Sequence, residues 1–372
     1  MDTTPLLPTT KQPTPPKRAP RYLFVVFFAV LCATWFTRQF HAFATGNTLP
    51  WTVTCAKPQP ISGAFAFSPT EFGSVIVTVS SALDGGILEK SVEIGVVPGT
   101  SDVAHVAFEL RSIAEAAQID SLVTALVSGG VLYIGVVLDD ARVGRGKKGA
   151  PLEAAVRITL PQPQLASFVL ASSSPSVSTS MLWDTSMAIT DTLSATSESI
   201  SQKGSLSILT APSSLSSLTL SSKHASIIVS APLTASKISL STTAGNIVTT
   251  NLSALSHASI TTKSGSLRSL FHSTPSLAVS TMSGPVSLDL NHSNLSNQDI
   301  PHSTLVNTTS GHVKIDIVDF HGKFVAVAEE GVTKVSGKFV KKLNQSGWVG
   351  RESGKGSLEA RSGKGNVNLS FL

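Results

Sequence analysis

The feature that most constrains this chain is a repeat of about 20 residues. Five segments consist of an apolar residue, four small or polar residues and then Gly or Ala, and their first residues are Leu220, Leu240, Ile260, Val279 and Val306. A second apolar residue follows two positions after the Gly or Ala: Ile227, Ile247, Leu267, Val286 and Val313. The leading residues are 20, 20, 19 and 27 positions apart. This period, with alternating apolar residues and glycine turns, indicates stacked β-strands and excludes helical repeats of about 34 to 45 residues.

The repeat predicts an all-β fold, with a parallel β-solenoid or β-helix ectodomain whose coil has about 20 residues. Leu, Ile and Val would face inward and stack on their equivalents about 4.8 Å away in the next coil. Gly would occupy the corners. Residues 171–310 contain 39 Ser and 19 Thr, which we expect to form outward ladders. The alternative is a β-sandwich with fortuitous periodicity.

An apolar segment near the N-terminus has the composition of a membrane span. Tyr22–Thr37 carries no charge, and Arg21 and Arg38 bracket it. We predict a single transmembrane signal-anchor helix over residues 22–38, with the lipid bilayer as its partner. Basic residues are more frequent before this segment than after it, which predicts a cytosolic N-terminus and a single-pass type II membrane localisation. Endoplasmic reticulum, Golgi, endosomal and plasma membranes all stay open.

The alternative for the same segment is a secretory signal peptide. Ala42-Phe43-Ala44 fits the pattern of small residues at a cleavage site. The preceding tail is long for a signal peptide and contains six prolines, which favours the anchor.

Composition and turn signals divide the chain into six predicted regions. Residues 61–160 contain β-branched runs separated by turn signals such as Asp84-Gly85-Gly86. The regions are a proline-rich disordered cytosolic tail (1–21), the transmembrane helix (22–38), a stalk (39–60), a β-rich N-terminal part of the ectodomain (61–160), the Ser/Thr-rich β-solenoid (161–330) and basic terminal coils or a cap (331–372).

Short motifs suggest modification and sorting sites. Asp2, Leu6 and Leu7 have the form of an acidic dileucine sorting signal, although a solvated tail explains them as well. A lumenal ectodomain would carry N-linked glycans at N-x-[ST] sequences, although a Ser-rich chain also produces such sequences by chance. The glycosylation candidates are Asn251, Asn291, Asn294, Asn307, Asn344 and Asn368.

The acidic residues do not form a recognisable catalytic set. An enzyme acting on polysaccharide in a β-helix groove needs two or three converging carboxylates. Within residues 171–310, no two acids are spaced by one 20-residue coil. The best remaining cluster is Asp316, Asp319 and His321, but alternation would place Asp316 on the opposite face from the other two. The sequence therefore indicates no catalytic, cofactor-binding or metal-binding residue, no cofactor and no nucleic-acid partner.

The turn motifs at Thr262–Leu267, Thr281–Val286 and Thr308–Val313, with Val156–Pro161 leading into them, resemble the putative-adhesin β-solenoid family of membrane-linked or secreted Ser/Gly-rich proteins. The resemblance covers roughly residues 150–372. It implies a fold and a loose surface-interaction role, and it transfers no catalytic residue.

Three functional hypotheses follow. The first is a non-enzymatic, membrane-anchored, glycosylated β-solenoid, which serves as an adhesion surface or spacer with cell-surface or wall polysaccharide or other surface proteins as partners. The second is a polysaccharide-active β-helix enzyme, and the third is a resident protein of the secretory pathway. The basic region 331–372 acts either as a cap or as a contact face for anionic polysaccharide or phospholipid headgroups.

Overall fold

The structure is a computed structural model that describes residues 61–68, 72–81, 90–112, 118–119, 122–138, 140–141, 152–173, 177–198, 204–272, 274–297, 300–350 and 354–372. All of them belong to one compact unit, Lys57–Leu372. The predicted division of this unit at residues 161 and 331 stays a prediction.

The described residues are almost entirely β-strands. The N-terminal strands are β1 (Ile61–Phe67), β2 (Ser74–Ser81), β3 (Lys90–Pro98), β4 (Ala104–Ser112), β5 (Gln118–Ile119), β6 (Leu122–Ser128), β7 (Val131–Leu138), β8 (Asp140–Ala141) and β9 (Leu152–Leu160). The middle strands are β10 (Gln164–Ser172), β11 (Val177–Trp183), β12 (Ala188–Ser197), β13 (Ser205–Ile208), β14 (Ser214–Ser222), β15 (Ser226–Val229), β16 (Leu233–Thr242), β17 (Ile247–Thr262), β18 (Leu267–His272), β19 (Ser276–Thr281) and β20 (Val286–Asn291). A short helix α1 (Ser293–Asn297) is followed by β21 (His302–Thr308), β22 (Val313–Val318), β23 (Gly322–Ala328), β24 (Thr333–Gly337), β25 (Val340–Leu343), β26 (Ser346–Val349), β27 (Gly356–Ser362) and β28 (Val367–Phe371).

Through the repeat, most strands pair in parallel with the strand two places further along the chain, whereas the long strand β17 also pairs in parallel with its neighbours β16 and β18. The pairing brings equivalent residues of successive repeats together, so that Ile227 lies beside Ile247 and Ile247 beside Leu267. Leu267 continues the same column to Val286, and Val286 to Val313. These apolar positions are buried, as the repeat predicts. Each apolar side chain is therefore covered by a similar one from each neighbouring strand, which makes a continuous core.

One column of hydroxyl side chains is buried, contrary to the expectation that Ser and Thr only face outward. Its members lie side by side at the ends of successive strands and are all at most 6% exposed: Ser172, Ser197, Ser222, Thr242, Thr262, Thr281, Thr308 and Ser362. Three of the threonines accept a hydrogen bond from the backbone N–H of the glycine three residues later, at 2.9–3.0 Å. The hydroxyl thus satisfies a donor that would otherwise be buried without a partner.

The glycines of these turns stack in a second column. A Cβ built on Gly245 would overlap the carbonyl oxygen of Ala225, and one on Gly265 would overlap that of Gly245. The same contact recurs at Gly284 and Gly311. Glycine is required here because the backbones of successive turns approach too closely for any side chain.

The predicted fold class is wrong. In place of a parallel β-solenoid, 26 of the 28 described strands form one sheet with parallel and antiparallel pairings, and β5 and β8 pair with each other separately. Near the N-terminus, β4 pairs antiparallel with β1 and β9, and β6 pairs antiparallel with β7. Near the C-terminus, β26 pairs antiparallel with β23 and β25. The repeat determines how its own strands are spaced. The same sheet continues through segments without a repeat, and the 20-residue period cannot predict the hairpins of those segments.

The predicted single-pass membrane localisation is also corrected. The expected helix at residues 22–38 lies outside the described residues. Within the part of the chain that the structure describes, no helix has both the length and the apolar character needed to cross a bilayer.

We expect replacement of Gly265 by Ala to destabilise the protein by about 3 kcal/mol or more, because the added methyl group overlaps the backbone of the preceding turn. Gly95→Ala is the matched control, since its Cβ would lie 4.0 Å from the nearest atom, the carbonyl oxygen of Val156. Chemical denaturation measures both free energies of unfolding. Equal, small effects of the two substitutions would contradict the role of the stacked glycines.

Candidate functional site

A basic hairpin near the C-terminus offers the most distinctive surface chemistry. We define the basic hairpin as residues 338–349, which contain β25 and β26. The segment has three lysines, Lys338, Lys341 and Lys342, and no acidic residue. All three are exposed. Gly347 and Val349 are buried and anchor the hairpin to the core. Gly347 lies directly against the Phe324 ring.

The indole of Trp348 lies between lysines on both sides. Trp348 is directly opposite Lys341 of β25 and Lys323 of β23. The ammonium of Lys341 lies 5.5 Å from the centre of the Trp348 ring, a distance that suits a cation–π interaction. Because Lys323 is exposed as well, this face combines an aromatic ring with several positive charges.

Phe339 protrudes at the start of the basic hairpin. Its side chain is 81% exposed, and its backbone has a φ of 59°. A bulky residue rarely adopts this left-handed conformation, which costs on the order of 1 kcal/mol or more. Strained backbone at an exposed aromatic residue makes Phe339 a candidate contact residue.

An open groove lies on the outer face of the N-terminal strands. Its volume is about 910 Å³. Small residues, including Gly95, Ala107 and Ala155, line its floor, and the charged residues in it are Glu93, Glu109 and Arg157. Glu93 and Glu109 lie on opposite sides of Ala155, one on β3 and one on β4. Two strand spacings separate their backbones, about 10 Å.

Sequence reasoning missed this groove because its residues lie outside the repeat. It also missed a pair of acids within the repeat: Asp289 of β20 is directly opposite Asp316 of β22. They are 27 rather than 20 residues apart, because α1 lies in the intervening segment. The apolar residues Val286 and Val313 are also 27 residues apart, so their spacing in the sequence already indicates that the two acids align.

The structure does not bring Asp316, Asp319 and His321 into one site. Asp316 forms an ion pair with Lys314 at 2.6 Å. Asp319 follows the end of β22 in a left-handed conformation and accepts a hydrogen bond from the Ser293 hydroxyl. Within the described residues, no group of three or more His, Cys, Asp or Glu is arranged to hold a metal ion.

The glycosylation candidates differ in accessibility. Asn294, Asn344 and Asn368 are exposed, whereas Asn251, Asn291 and Asn307 are half-buried. The side-chain oxygen of Asn291 accepts hydrogen bonds from the backbone N–H and hydroxyl of Ser293. Glycosylation stays a prediction, and exposure favours Asn294, Asn344 and Asn368, of which Asn344 lies in the basic hairpin. The sorting candidates Asp2, Leu6 and Leu7 lie outside the described residues.

A pair of buried histidines lies in the 27-residue interval of the repeat. The rings of His292 and His302 stack with centres 4.5 Å apart, and Phe320 packs against both. The Nδ1 of His302 donates a hydrogen bond to the Ile300 carbonyl at 3.1 Å. Both ring nitrogens of His292 are buried without a hydrogen-bond partner among the described residues.

Burial controls the protonation of this pair. Desolvation, with a smaller contribution from the charge of His302, lowers the pKa of His292 from 6.5 to about 3. Burial also lowers the pKa of His302, an effect that the hydrogen bond to Ile300 opposes and the charge of His321 reinforces. A neutral stacked pair is therefore the form that suits the folded protein at neutral pH.

No protein-family model matches the sequence, and no curated protein matches it. Several solved structures match this chain at low identity. Those described as putative adhesins from Parabacteroides distasonis and Parabacteroides merdae are 12% and 11% identical, with TM-scores of 0.42 and 0.41. The first covers 83% of this chain and 97% of its own, and the second 83% and 95%.

A putative adhesin from Bacteroides fragilis is 13% identical with a TM-score of 0.37, covering 85% of this chain and 99% of its own. The neighbours are thus proteins named as adhesins. Identities and TM-scores this low carry no argument about what this chain binds.

We expect the protein to lose stability as the pH falls from 6.5 towards 3. The folded state holds the pKa of His292 below its unfolded value, so the unfolded chain takes up the proton first. The stabilisation from neutral His292 is fully present above pH 6.5 and decreases on acidification, by on the order of 3 kcal/mol at pH 4.

Denaturant unfolding at pH 7 and pH 4 measures this loss. His292→Leu should reduce the difference between the two pH values, whereas His257→Leu, at an exposed position, should leave it unchanged. An unaltered pH dependence in His292→Leu would show that the buried pair is not its source.

Proposed function

We propose that this protein is a non-enzymatic, adhesion-type binding protein whose basic hairpin contacts acidic polysaccharide of a cell surface or wall. The observation that carries the proposal is the combination, on one hairpin, of exposed Phe339, half-buried Trp348 and three exposed lysines without an acidic residue. The large continuous sheet serves as the rigid support that presents this hairpin.

The chemistry of the hairpin fits an acidic sugar polymer. Lysine ammonium groups form charge-assisted hydrogen bonds with carboxylates. The Trp348 ring, between Lys341 and Lys323, offers an apolar face to the C–H side of a sugar ring. Repeated contacts with a regular polymer add together, so individually weak exposed ion pairs still give useful avidity.

Reversing the charge of the hairpin should weaken binding to polygalacturonate. We expect Lys338→Glu, Lys341→Glu and Lys342→Glu, combined, to reduce affinity on the order of tenfold or more, because three favourable contacts become repulsive. Immobilised polygalacturonate, with neutral dextran as reference, gives the affinities, and binding by the wild type should weaken with rising salt.

The matched control is the same reversal at Lys223, Lys237 and Lys263, which are exposed on other parts of the chain and change the net charge equally. Equal losses of affinity in both triple variants would show that the net charge alone accounts for binding, and would contradict a dedicated site.

The N-terminal groove favours a second candidate function, a polysaccharide-active enzyme. It places Glu93, Glu109 and Arg157 along one trough. The roughly 10 Å between the two backbones is compatible with the wider carboxylate separation of inverting glycosidases, about 6.5–9.5 Å. The groove is open to solvent, and Phe108, an aromatic residue of its lining, is buried rather than exposed as a platform, so we rank this function second.

Release of reducing ends from polygalacturonate separates the two functions. We expect none from the wild type. If the wild type releases reducing ends and Glu93→Gln stops this release while Asp316→Asn does not, the groove is an active site and the non-enzymatic proposal is wrong.

A further inference from the structure

The last two strands of the chain lie inside the sheet rather than at its edge. β27 pairs in parallel with β21 on one side and with β23 on the other. β28 likewise lies between β22 and β24. Residues 356–372, which we call the C-terminal insert, therefore separate two pairs of strands that precede them in the sequence.

The strands on the two sides of the insert are themselves one repeat apart. His302 and Gly322 both align with Gly356, and they are 20 residues apart. Val313 and Thr333 both align with Val367, again with a separation of 20 residues. This is the offset at which β14 pairs with β16 and β15 with β17. The flanking strands thus have the register needed to pair directly with each other.

The glycine column follows the same rule. A Cβ on Gly365 would overlap the Gly311 carbonyl oxygen, and one on Gly331 would overlap that of Gly365. Gly311 and Gly331 are also 20 residues apart, which is the spacing of stacked turns elsewhere in the repeat. If the turn that contains Gly365 leaves the column, the turns of Gly311 and Gly331 can therefore stack directly on each other. Departure of the insert therefore need not leave a lasting gap in the backbone hydrogen bonds.

A departed insert would need another place to bury its apolar residues. Leu358, Val367, Leu369 and Phe371 are each at most 4% exposed in the folded chain. Exposing them to water costs roughly 1.5–3 kcal/mol per side chain. The same slot in a second copy of this chain offers every one of these contacts and both ladders of backbone hydrogen bonds.

The connection from β26 to β27 is long enough for such an exchange. Six residues, 350–355, join the two strands. Fully extended, they span about 20 Å, which equals about four strand spacings. Exchange of an identical element between copies is a low-cost route to a dimer, since it creates no new contact inside the slot.

We propose that the C-terminal insert is exchanged between two copies of this chain, so that the slot between β21–β22 and β23–β24 of one copy holds β27 and β28 of the other. The partner is a second copy of the same chain, and the interface is the slot itself. This assignment is independent of the polysaccharide-binding role of the basic hairpin.

A cysteine pair across the slot tests the exchange. The hydroxyl oxygens of Ser303 on β21 and Ser357 on β27 lie 3.3 Å apart, and both residues are exposed. One full-length chain carries Ser303→Cys and a second, with a different tag, carries Ser357→Cys. Both also carry Cys32→Ser and Cys55→Ser, which remove the two native cysteines. The chains are co-expressed and oxidised.

The matched control uses Ser221 and Ser241, whose hydroxyl oxygens lie 3.0 Å apart on β14 and β16, which pair with each other within the repeat. Chains with Ser221→Cys and Ser241→Cys, in the same background, should give no mixed dimer. The Ser303→Cys and Ser357→Cys chains should give a disulfide-linked dimer that carries both tags. No such dimer, or equal amounts in the two pairs, would overturn the proposal.

Light scattering on the unmodified chain gives a readout that does not depend on disulfide chemistry. We expect a dimer whose fraction rises with concentration. A single chain carrying both Ser303→Cys and Ser357→Cys, oxidised at low concentration, should be held as a monomer. A wild type that stays monomeric at every concentration would overturn the proposal even if some cross-linking occurs.

Discussion

The close contact between successive glycine turns is the constraint on which the repeat of this protein depends. Gly265 lies against the Gly245 carbonyl with no room for a Cβ, and the neighbouring Thr262 hydroxyl satisfies its N–H. This contact fixes the spacing of the turns, and through it the alignment of the strands on both sides. Once the strands align, Ile247 can lie only beside Ile227 and Leu267. The packing of the core thus follows from a backbone contact at the turn.

Alignment of equivalent residues has a cost as well as a benefit. It places apolar residues together without further design, but it also places like charges together, as at Asp289 and Asp316. The low content of charged residues, 14%, is consistent with this restriction, since directly opposed like charges destabilise a sheet. Ser and Thr avoid the problem because a hydroxyl can both donate and accept a hydrogen bond. Ser241 and Ser221 use this property across neighbouring strands.

The sequence predicts those parts of the structure that repeat. The burial of Ile227, Ile247 and Leu267 follows directly from their 20-residue spacing. The buried hydroxyl of Thr262 does not, because its position at the strand end matches a polar outward residue in the pattern. The antiparallel strands β4 and β26 share no period with the repeat, so the fold class predicted from the period was wrong.

The same limit applies to the candidate site. Lysines of the basic region 331–372 are visible as a charge excess, but the pairing of Trp348 with Lys341 and Lys323 depends on a hairpin register that no repeat specifies. The groove with Glu93, Glu109 and Arg157 depends on three strands of unrelated sequence. Asp289 and Asp316 were predictable in principle, since the 27-residue interval between the apolar positions defines their alignment.

That 27-residue interval shows where this scaffold tolerates extra length. The residues of α1 follow Asn291, at the end of β20, and the chain re-enters the register of the repeat at Ser303, while the strands on either side stay paired. A turn at this level of the sheet therefore accommodates seven residues beyond the 20-residue period. Such a position suits the graft of a foreign peptide, which would be displayed at a fixed height on a rigid sheet.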